Sequence, residues 1–382
     1  MSQIKTKRSA SKNPFYIMAT IYGENTVAID FDPYQQNRDV WNAWACQGLS
    51  QAEKDELKKA YLGLIIQDWT DKLKQKAEKA FAERLPSGFV PDHNSDIDFE
   101  DTDFEPDVSF LGFLFLKNAN FRDAQFTEVA DFRGAQFTEE AYFSSSRFEA
   151  HSYFQQAIFS EALDFTDVSF AQPTNFRQAR FEKYYPIFEG TNLHGKTTLT
   201  AQPKYWPKAT DHSQYEGADT PTLEKAAASC ADLRHNMTAQ GLPDDAHFFF
   251  RREMGCKLAM ADGVKKLPLW LYGKLSDYGY SYGRPLGGLI WLWLLWTLVY
   301  TPYFLSQEQV ETLATKTTAL AKAAGLSFAN IFAFFGFHSR FAEIEWSKAS
   351  NWLIAFTGLE TILGFILLFF LGLGLRNQFR LK

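Results

Sequence analysis

Cysteine is scarce in this chain: Cys46, Cys230 and Cys256 are the three in 382 residues. They are odd in number and widely spaced, which excludes a disulfide framework and fits a reducing compartment. Histidine is sparse as well, at positions 93, 151, 194, 212, 235, 247 and 338, and none stands at metal-ligand spacing from Cys, Asp or Glu. No Ser/His/Asp or Cys/His arrangement can be assembled. No metal, no cofactor and no enzyme activity are therefore expected. The basic start MSQIKTKRSASKNPF is followed by no apolar stretch, so no signal peptide is expected. No apolar run long enough to span a bilayer occurs before residue 286.

Phenylalanine is abundant instead, with 37 residues in a chain that is 16% aromatic. From Phe99 to Phe181 it keeps a rhythm: 99, 104, 110, 115, 121, 126, 132, 137, 143, 148, 154, 159, 165, 170, 176 and 181, alternating steps of five and six. Fixed self-similarity is the first signal to read in any sequence. A helix does not fit it. At roughly 100° per residue, alternate phenylalanines would stand about 140° apart and form no stripe. Pro106, Pro173 and Pro186 also interrupt the run. Short extended segments separated by corners do fit. In a strand, residues two apart share a face, so the residue two before each Phe also points inward. Those residues are Ala119, Ala124, Ala130, Ala135, Ala141, Ser146, Ser152, Ala157, Leu163, Val168, Thr174 and Ala179. Mostly small side chains are what a narrow interior shared with Phe requires.

The segments ANFRDAQF and ADFRGAQF, with their Phe-x-x-Ala-x-Phe spacing, resemble the Phe-rich type of the pentapeptide-repeat family. The resemblance implies a right-handed β-helix of square cross-section with one Phe per side. Phe121, Phe126, Phe132, Phe137, Phe143, Phe148, Phe154, Phe159 and Phe165 would form its core, with Phe188, Leu193 and Leu199 extending it. Gly190, Gly195, Lys196 and Thr197 also spell the phosphate-loop pattern G-x-x-x-x-G-K-[ST]. That pattern needs a strand before it and a helix after it. The sequence that follows, TLTAQP, is a poor helix start, and Thr197 falls in the small inward slot, so the last coil accounts for these residues.

Charge is unevenly placed. Residues 96–193 hold 18 acids against 7 bases, a net of about −11, while residues 261–382 hold 7 acids against 11 bases, a net of about +4. Some pentapeptide-repeat proteins resemble DNA in shape and charge and bind topoisomerase. A rod held at a membrane would stand away from the chromosome, so nucleic acid is not an expected partner. A cytosolic protein on the acidic exterior is the alternative.

The rest divides around the solenoid. Residues 1–95 are expected to form a disordered basic tail to residue 13, a β-hairpin over 15–31, a helix over 37–46 with Trp41 and Trp44 on one face, and a helix over 50–85. Ser50 and Glu53 form that last helix's capping box, and the segment should cover the first coil, because a solenoid end needs a cap. Residues 96–200 are the solenoid. Residues 201–262 are a loop and a two-helix hairpin, expected to connect the solenoid to a membrane domain over 263–382 and to help oligomerise it.

Two runs, 286–305 and 351–375, are long enough to cross roughly 30 Å of hydrocarbon. Lys265, Lys266, Lys274 and Arg284 precede the first, and Arg376, Arg380 and Lys382 follow the second. Between them Lys316, Lys322, Arg340 and Lys348 are offset by Glu308, Glu311, Glu343 and Glu345. The bias places both termini in the cytoplasm of a bacterium, at its inner membrane. Residues 306–322 read as an amphipathic helix and 326–337 as an apolar re-entrant dip, too short to span. Tyr278, Gly279, Arg284, Pro285 and Leu286, with the closing LETILGFILLFFLGLGLRNQFRLK, resemble the junction and last helix of pentapeptide-repeat proteins that end in an ion-channel-like pore domain. The resemblance implies a homo-oligomeric pore in contact with membrane lipids. Its site candidates are Glu360, Asn330, Phe334, Phe335, Gly336 and Phe337. Where potassium channels carry TVGYG, this chain carries FFGF and keeps one glycine. Glu360 is costly inside a span. It either joins a ring of carboxylates along a cation path or meets Asn351, Thr357 or Thr361 of a neighbour, or an indole NH.

Overall fold

The computed structural model describes residues 7–24, 31–61, 64–208, 222–307, 313–337 and 350–380. Residues 25–30 of the expected hairpin, residues 209–217 of the loop over 200–217, with His212, and His338 and the loop charges Glu308, Glu311, Arg340, Glu343, Glu345 and Lys348 lie outside the described residues. The chain divides into two compact units, Met1–Met260 and Ala261–Lys382.

The first unit is a parallel β-solenoid of about five turns with helices at both ends. Its strands are two or three residues long and stack into four parallel sheets, one per side. Every fourth strand pairs with the next coil. Ala119 faces Ala141 and Ala141 faces Leu163, while Phe126 faces Phe148 and Phe148 faces Phe170. The inward residues two before each Phe are all buried. The rings stack face to face between coils. Phe104, Phe126, Phe148 and Phe170 form one column at 4.7, 4.5 and 4.9 Å. Phe110, Phe132, Phe154 and Phe176 form another at 5.1, 5.0 and 4.9 Å. Coil spacing of about 4.8 Å fixes these distances.

The corners carry a second period that the phenylalanines conceal. Two residues after alternate Phe positions the backbone turns left-handed, at Asp101, Gly112, Asp123, Gly134, Ser145, Gln156, Asp167, Gln178 and Gly190. Each corner closes with a bond from the third residue's N–H to the Phe carbonyl, as from Ala124 to Phe121 (3.2 Å) and from Ser146 to Phe143 (3.0 Å). Positive φ at the third of four residues defines a type II turn. The last coil gains one residue: Asn175 pairs with Thr198, one beyond the Thr197 that the 22-residue step would reach. Phe188 still stacks on Phe165 at 5.4 Å.

The start of the chain differs from the expectation. Arg8–Ser9 is a strand that pairs in parallel with Thr102–Phe104 and extends one sheet past the first coil. Residues 7–13 of the expected tail are therefore ordered, and residues 1–6 lie outside the described residues. In place of the first hairpin strand stands helix α1, Pro14–Ala19. The apolar run of this segment suits a strand, but Asn13 and Pro14 are a helix start. Asn13 Oδ1 accepts from the N–H of Phe15 (2.9 Å) and Tyr16 (3.3 Å). All of Phe15, Tyr16, Ile17, Met18 and Ala19 are buried, because α1 plugs the open end of the solenoid, with Phe15 against Phe99 and Tyr16 against Phe104.

Helix α2, Phe31–Ala45, brings Trp41 onto Phe113 and Phe115. Trp41 Nε1 donates to the Leu114 carbonyl at 2.9 Å, and Asn42 exchanges bonds with Gly112 and Leu114 along the open strand edge. The helix expected over 50–85 is two: α3, Gln51–Ala60, and α4, Asp71–Arg84, which begins at the N-cap Thr70. The Ser50–Glu53 capping box is present. At the other end, α5, Leu223–Ala239, and α6, Pro243–Met260, close the last coil. Trp206 packs on Phe181 at 4.6 Å and on Phe249 of α6 at 4.9 Å, and Ser229 Oγ of α5 accepts from the Phe188 N–H. The expected helical hairpin thus caps the solenoid. One continuous core runs from α1 to α6.

The second unit contains α7, Lys266–Ser276; α8, Gly283–Leu305; α9, Leu313–Ile331; and α10, Asn351–Arg380. Gly283–Leu305 and Asn351–Phe379 are each long and apolar enough to cross a membrane. The separate pieces expected over 306–322 and 326–337 are not separate: α9 runs through both, and a short 3-10 turn, Ala333–Phe335, follows.

Candidate functional site

The polar centre of the second unit is built by α8, α9 and α10. One face of α9 is a stripe of Ala319, Ala323, Leu326, Ser327 and Asn330, all buried. Its small residues let the neighbouring helices come close. Trp293 Nε1 on α8 donates to the Ala324 carbonyl at 3.0 Å, and Gly364 on α10 lies against the Ile331 backbone, where a Cβ would meet Ile331 Cα at 3.0 Å.

Glu360 of α10 sits in the middle and is fully buried. Its Oε2 accepts from Tyr300 Oη of α8 at 2.8 Å and from Asn330 Nδ2 of α9 at 2.7 Å. Its Oε1 accepts from Ser327 Oγ at 2.5 Å. Asn330 Nδ2 also reaches Tyr300 Oη, at 3.2 Å. The carboxylate thus takes three hydrogen bonds from two other helices and, among the described residues, no ion pair. Buried charge is tolerated only when bonded in this way. Within one chain the arrangement fastens α9 to both long helices.

Of the sequence candidates, Glu360 and Asn330 come together. Phe334, Phe335, Gly336 and Phe337 do not join them. Phe334 and Phe335 are 86% and 63% exposed on the turn after α9, which ends at a left-handed Gly336. Phe337 packs on Phe328 at 5.5 Å and on Phe335 at 6.1 Å. Within the chain, Thr357 and Thr361 bond along their own helix rather than to Glu360. The Thr357 hydroxyl donates to the Ile354 carbonyl and the Thr361 hydroxyl to the Thr357 carbonyl, both at 2.9 Å within α10. Tyr300 and Ser327 escaped the sequence reading. Their one signal is polarity in apolar stretches, with Ser327 and Asn330 one turn apart on a helix face.

In the first unit, all nine core candidates from Phe121 to Phe165 are buried in the ladder. Residues 190–197 form the last coil. Gly190 takes a corner, Asn192 bridges to Ser169, Thr197 is buried, and the next residues, Thr198–Leu199, are a strand. The three thiols are buried, and burial pushes Cys46 and Cys256 up to about 11 and Cys230 upward too. Among the described residues no group of three or more His, Cys, Asp or Glu side chains could hold a metal ion. One solenoid face carries an open groove of about 1080 Å³ lined by Asp103, Asp123, Glu149 and Asp167 around Lys7 and Arg147.

Residues 112–155 and 154–201 match the family model described as pentapeptide repeats (9 copies). The solenoid segment is therefore built of pentapeptide repeats. No curated protein and no solved structure matches the chain.

Proposed function

We infer that the chain is an integral protein of the bacterial cytoplasmic membrane, whose Ala261–Lys382 unit is channel-like and assembles as a homo-oligomer around a pore. The solenoid, with both termini, lies in the cytosol as a platform for sensing or assembly, and no catalysis is assigned to it. The observation that carries this reading is α9. It is a helix too polar at its start to be a span, packed between the two long helices and locked to them through Glu360. Long helix, short packed helix, long helix is the layout of two-span pore domains. Two spans cannot enclose a pore, so the reading requires several copies. Ile290, Trp291 and Leu298 on α8 and Ile362, Phe365 and Phe369 on α10 are exposed and suit lipid or a second copy. Since Glu360 is occupied within its own chain, it serves to hold α9. The pore lining then falls to the turn around Phe334, Phe335 and Gly336.

Size in mild detergent tests this first, and an oligomer is expected. Ion flux from liposomes follows, with Phe334→Ala and Phe335→Ala expected to change it. A strict monomer would sink the pore. The acidic groove around Arg147 favours a second reading, a membrane-anchored scaffold that binds a cytosolic protein on the solenoid. An oligomer without flux would select it.

A further inference from the structure

Helix α7 turns one face into its unit and the other away from it. Tyr272 stacks on Phe370 of α10 at 5.8 Å, and Leu275 packs with Leu289, Ile331 and Leu367. The opposite stripe is Leu267, Trp270, Leu271 and Lys274, spaced three, four and seven along the helix and therefore aligned. Leu267 and Trp270 are 55% and 45% exposed, and Leu271 and Lys274 are exposed beside them. Just before the helix stand Val264, 86% exposed, and the exposed Lys265 and Lys266. An apolar stripe edged by lysines is uncommon on a surface that meets only water.

The position of α7 is fixed. Asp277 ends it in a left-handed cap. Arg284, in the first turn of α8, donates to the Gly273 carbonyl at 2.9 Å and pairs with Asp277 at 3.5 Å. Asn377 of α10 donates to the Gly279 carbonyl at 2.8 Å. The helix is thereby held where α8 begins and α10 approaches its end, together with the exposed Arg376. One end of the unit gathers five cations and an apolar stripe.

We propose that α7 lies in the membrane interface and binds anionic phospholipid, with Leu267, Trp270 and Leu271 entering the acyl boundary and Lys265, Lys266, Lys274, Arg284 and Arg376 taking headgroup phosphates. The inference rests on the membrane reading and adds to it a lipid class and a binding helix. A tryptophan suits the boundary, lysine stems snorkel to the headgroups, and clustered cations beside a span attract anionic lipid. Two acids stand among the five cations, Asp277, which pairs with Arg284 at 3.5 Å, and the exposed Asp262 just before Lys265, so five charges against two leave a net positive end for phosphate.

The test is quenching of Trp270 emission, read as wild type minus Trp270→Phe, for the full chain in nanodiscs holding brominated phosphatidylglycerol or brominated phosphatidylcholine. Stronger quenching by the anionic lipid is expected. Each substitution among Lys265→Gln, Lys266→Gln and Lys274→Gln should lower that preference about fivefold at low salt, and added salt should weaken it. Equal quenching by both lipids overturns the anionic preference. An unquenched Trp270 with partial quenching of the emission that remains in Trp270→Phe, where Trp291 and Trp293 are among the nine tryptophans left of ten, overturns the interfacial placement and leaves the spans standing. No quenching in either the difference signal or the Trp270→Phe emission removes the membrane reading itself.

Discussion

Tyr300 and Glu360, 60 residues apart, are joined by a 2.8 Å hydrogen bond between fully buried side chains. With Ser327 and Asn330 it ties three helices to one carboxylate. This bears on the meaning of the acid in α10. A pore-lining carboxylate should face open space in the single chain. This one has both oxygens engaged, in bonds that hold α9 to α8 and α10.

Removing the acceptor should therefore destabilise the unit. Glu360→Ala leaves the buried Tyr300 hydroxyl without its acceptor, at a cost of about 1–3 kcal/mol, while Asn330 Nδ2 and Ser327 Oγ fall back on the longer bonds to Tyr300 Oη at 3.2 Å and the Trp293 carbonyl at 3.3 Å. Glu360→Gln keeps one acceptor oxygen and should cost less. Thr361→Ala, which removes only a bond within α10, should cost little. Thermal unfolding in detergent orders the three variants. A Glu360→Ala protein that melts with the wild type would contradict the brace.

In the solenoid, Phe143 touches rings above and below, Phe121 at 4.7 Å and Phe165 at 5.1 Å. Phe143→Ala opens a cavity that neighbouring coils cannot fill, and should cost about 3–5 kcal/mol. Phe143→Leu should recover much of that. Denaturant titration followed by far-ultraviolet circular dichroism measures both. A loss under 1 kcal/mol for the Ala variant would show that the ladder relaxes freely, against the close packing of its interior.

Two corner glycines have the same left-handed backbone and different surroundings. At Gly134 a Cβ would meet nothing within 4 Å, while at Gly190 it would come within 2.1 Å of Asp167 Oδ1. Gly134→Ala should cost about 1–2 kcal/mol, the backbone penalty. Gly190→Ala should cost more, and adding Asp167→Ala should return it towards the Gly134→Ala value. Such coupling is expected of contacting residues. A double mutant that shows simple additivity removes the steric explanation.

The corners mark what the sequence shows and what it hides. The inward Phe and the small residue two before it are chemically uniform, so the coil is legible. The outward corner tolerates Asp, Ser, Gln or Gly, so its period is masked, although short polar residues adopt that backbone most readily. The segment after Asn13 is a short continuous apolar run, Phe15 to Ala19, which by itself suits a buried strand as well as a helix, and only the end of the solenoid reveals that every one is covered. The break between α3 and α4 carries no proline, and its sequence signals are Gly63 and the N-cap Thr70. The partners of Glu360 come from two other helices, and spacing within one helix cannot show them.

Asn13 offers a sharper test of the N-terminal plug. Its Nδ2 donates to the Asp98 carbonyl at 2.9 Å and to Thr102 Oγ1 at 3.1 Å, while its Oδ1 caps α1. Asn13→Ala should cost about 2 kcal/mol or more through the lost cap and the unsatisfied groups. Asn13→Asp keeps the cap and loses the two donors. Amide exchange should then rise at residues 97–104 for both variants, but at 15–17 chiefly for Asn13→Ala. Uniform protection throughout would mean that the plug does not depend on Asn13.

The same unit should weaken in alkali. Burial pushes the Cys46 and Cys256 thiols up to about 11 and Tyr34, whose Oη donates to the Leu111 carbonyl at 2.5 Å, up to about 12. Each folded group holds its proton more tightly than it would in the unfolded chain. The stabilisation is therefore complete below the ordinary thiol value, near 9, and is lost as pH rises towards about 11. Each thiol contributes a slope of up to about 1.4 kcal/mol per pH unit within that window. Denaturant midpoints should stay level from about pH 7 to 9 and then fall, whereas Cys46→Ala with Cys256→Ala should flatten the fall. Thiol reagents at pH 8 should label the native chain slowly and the unfolded chain at once, because the thiolate is the reactive form. Fast labelling of the native chain would mean that these side chains open to water far more often than a closed solenoid allows.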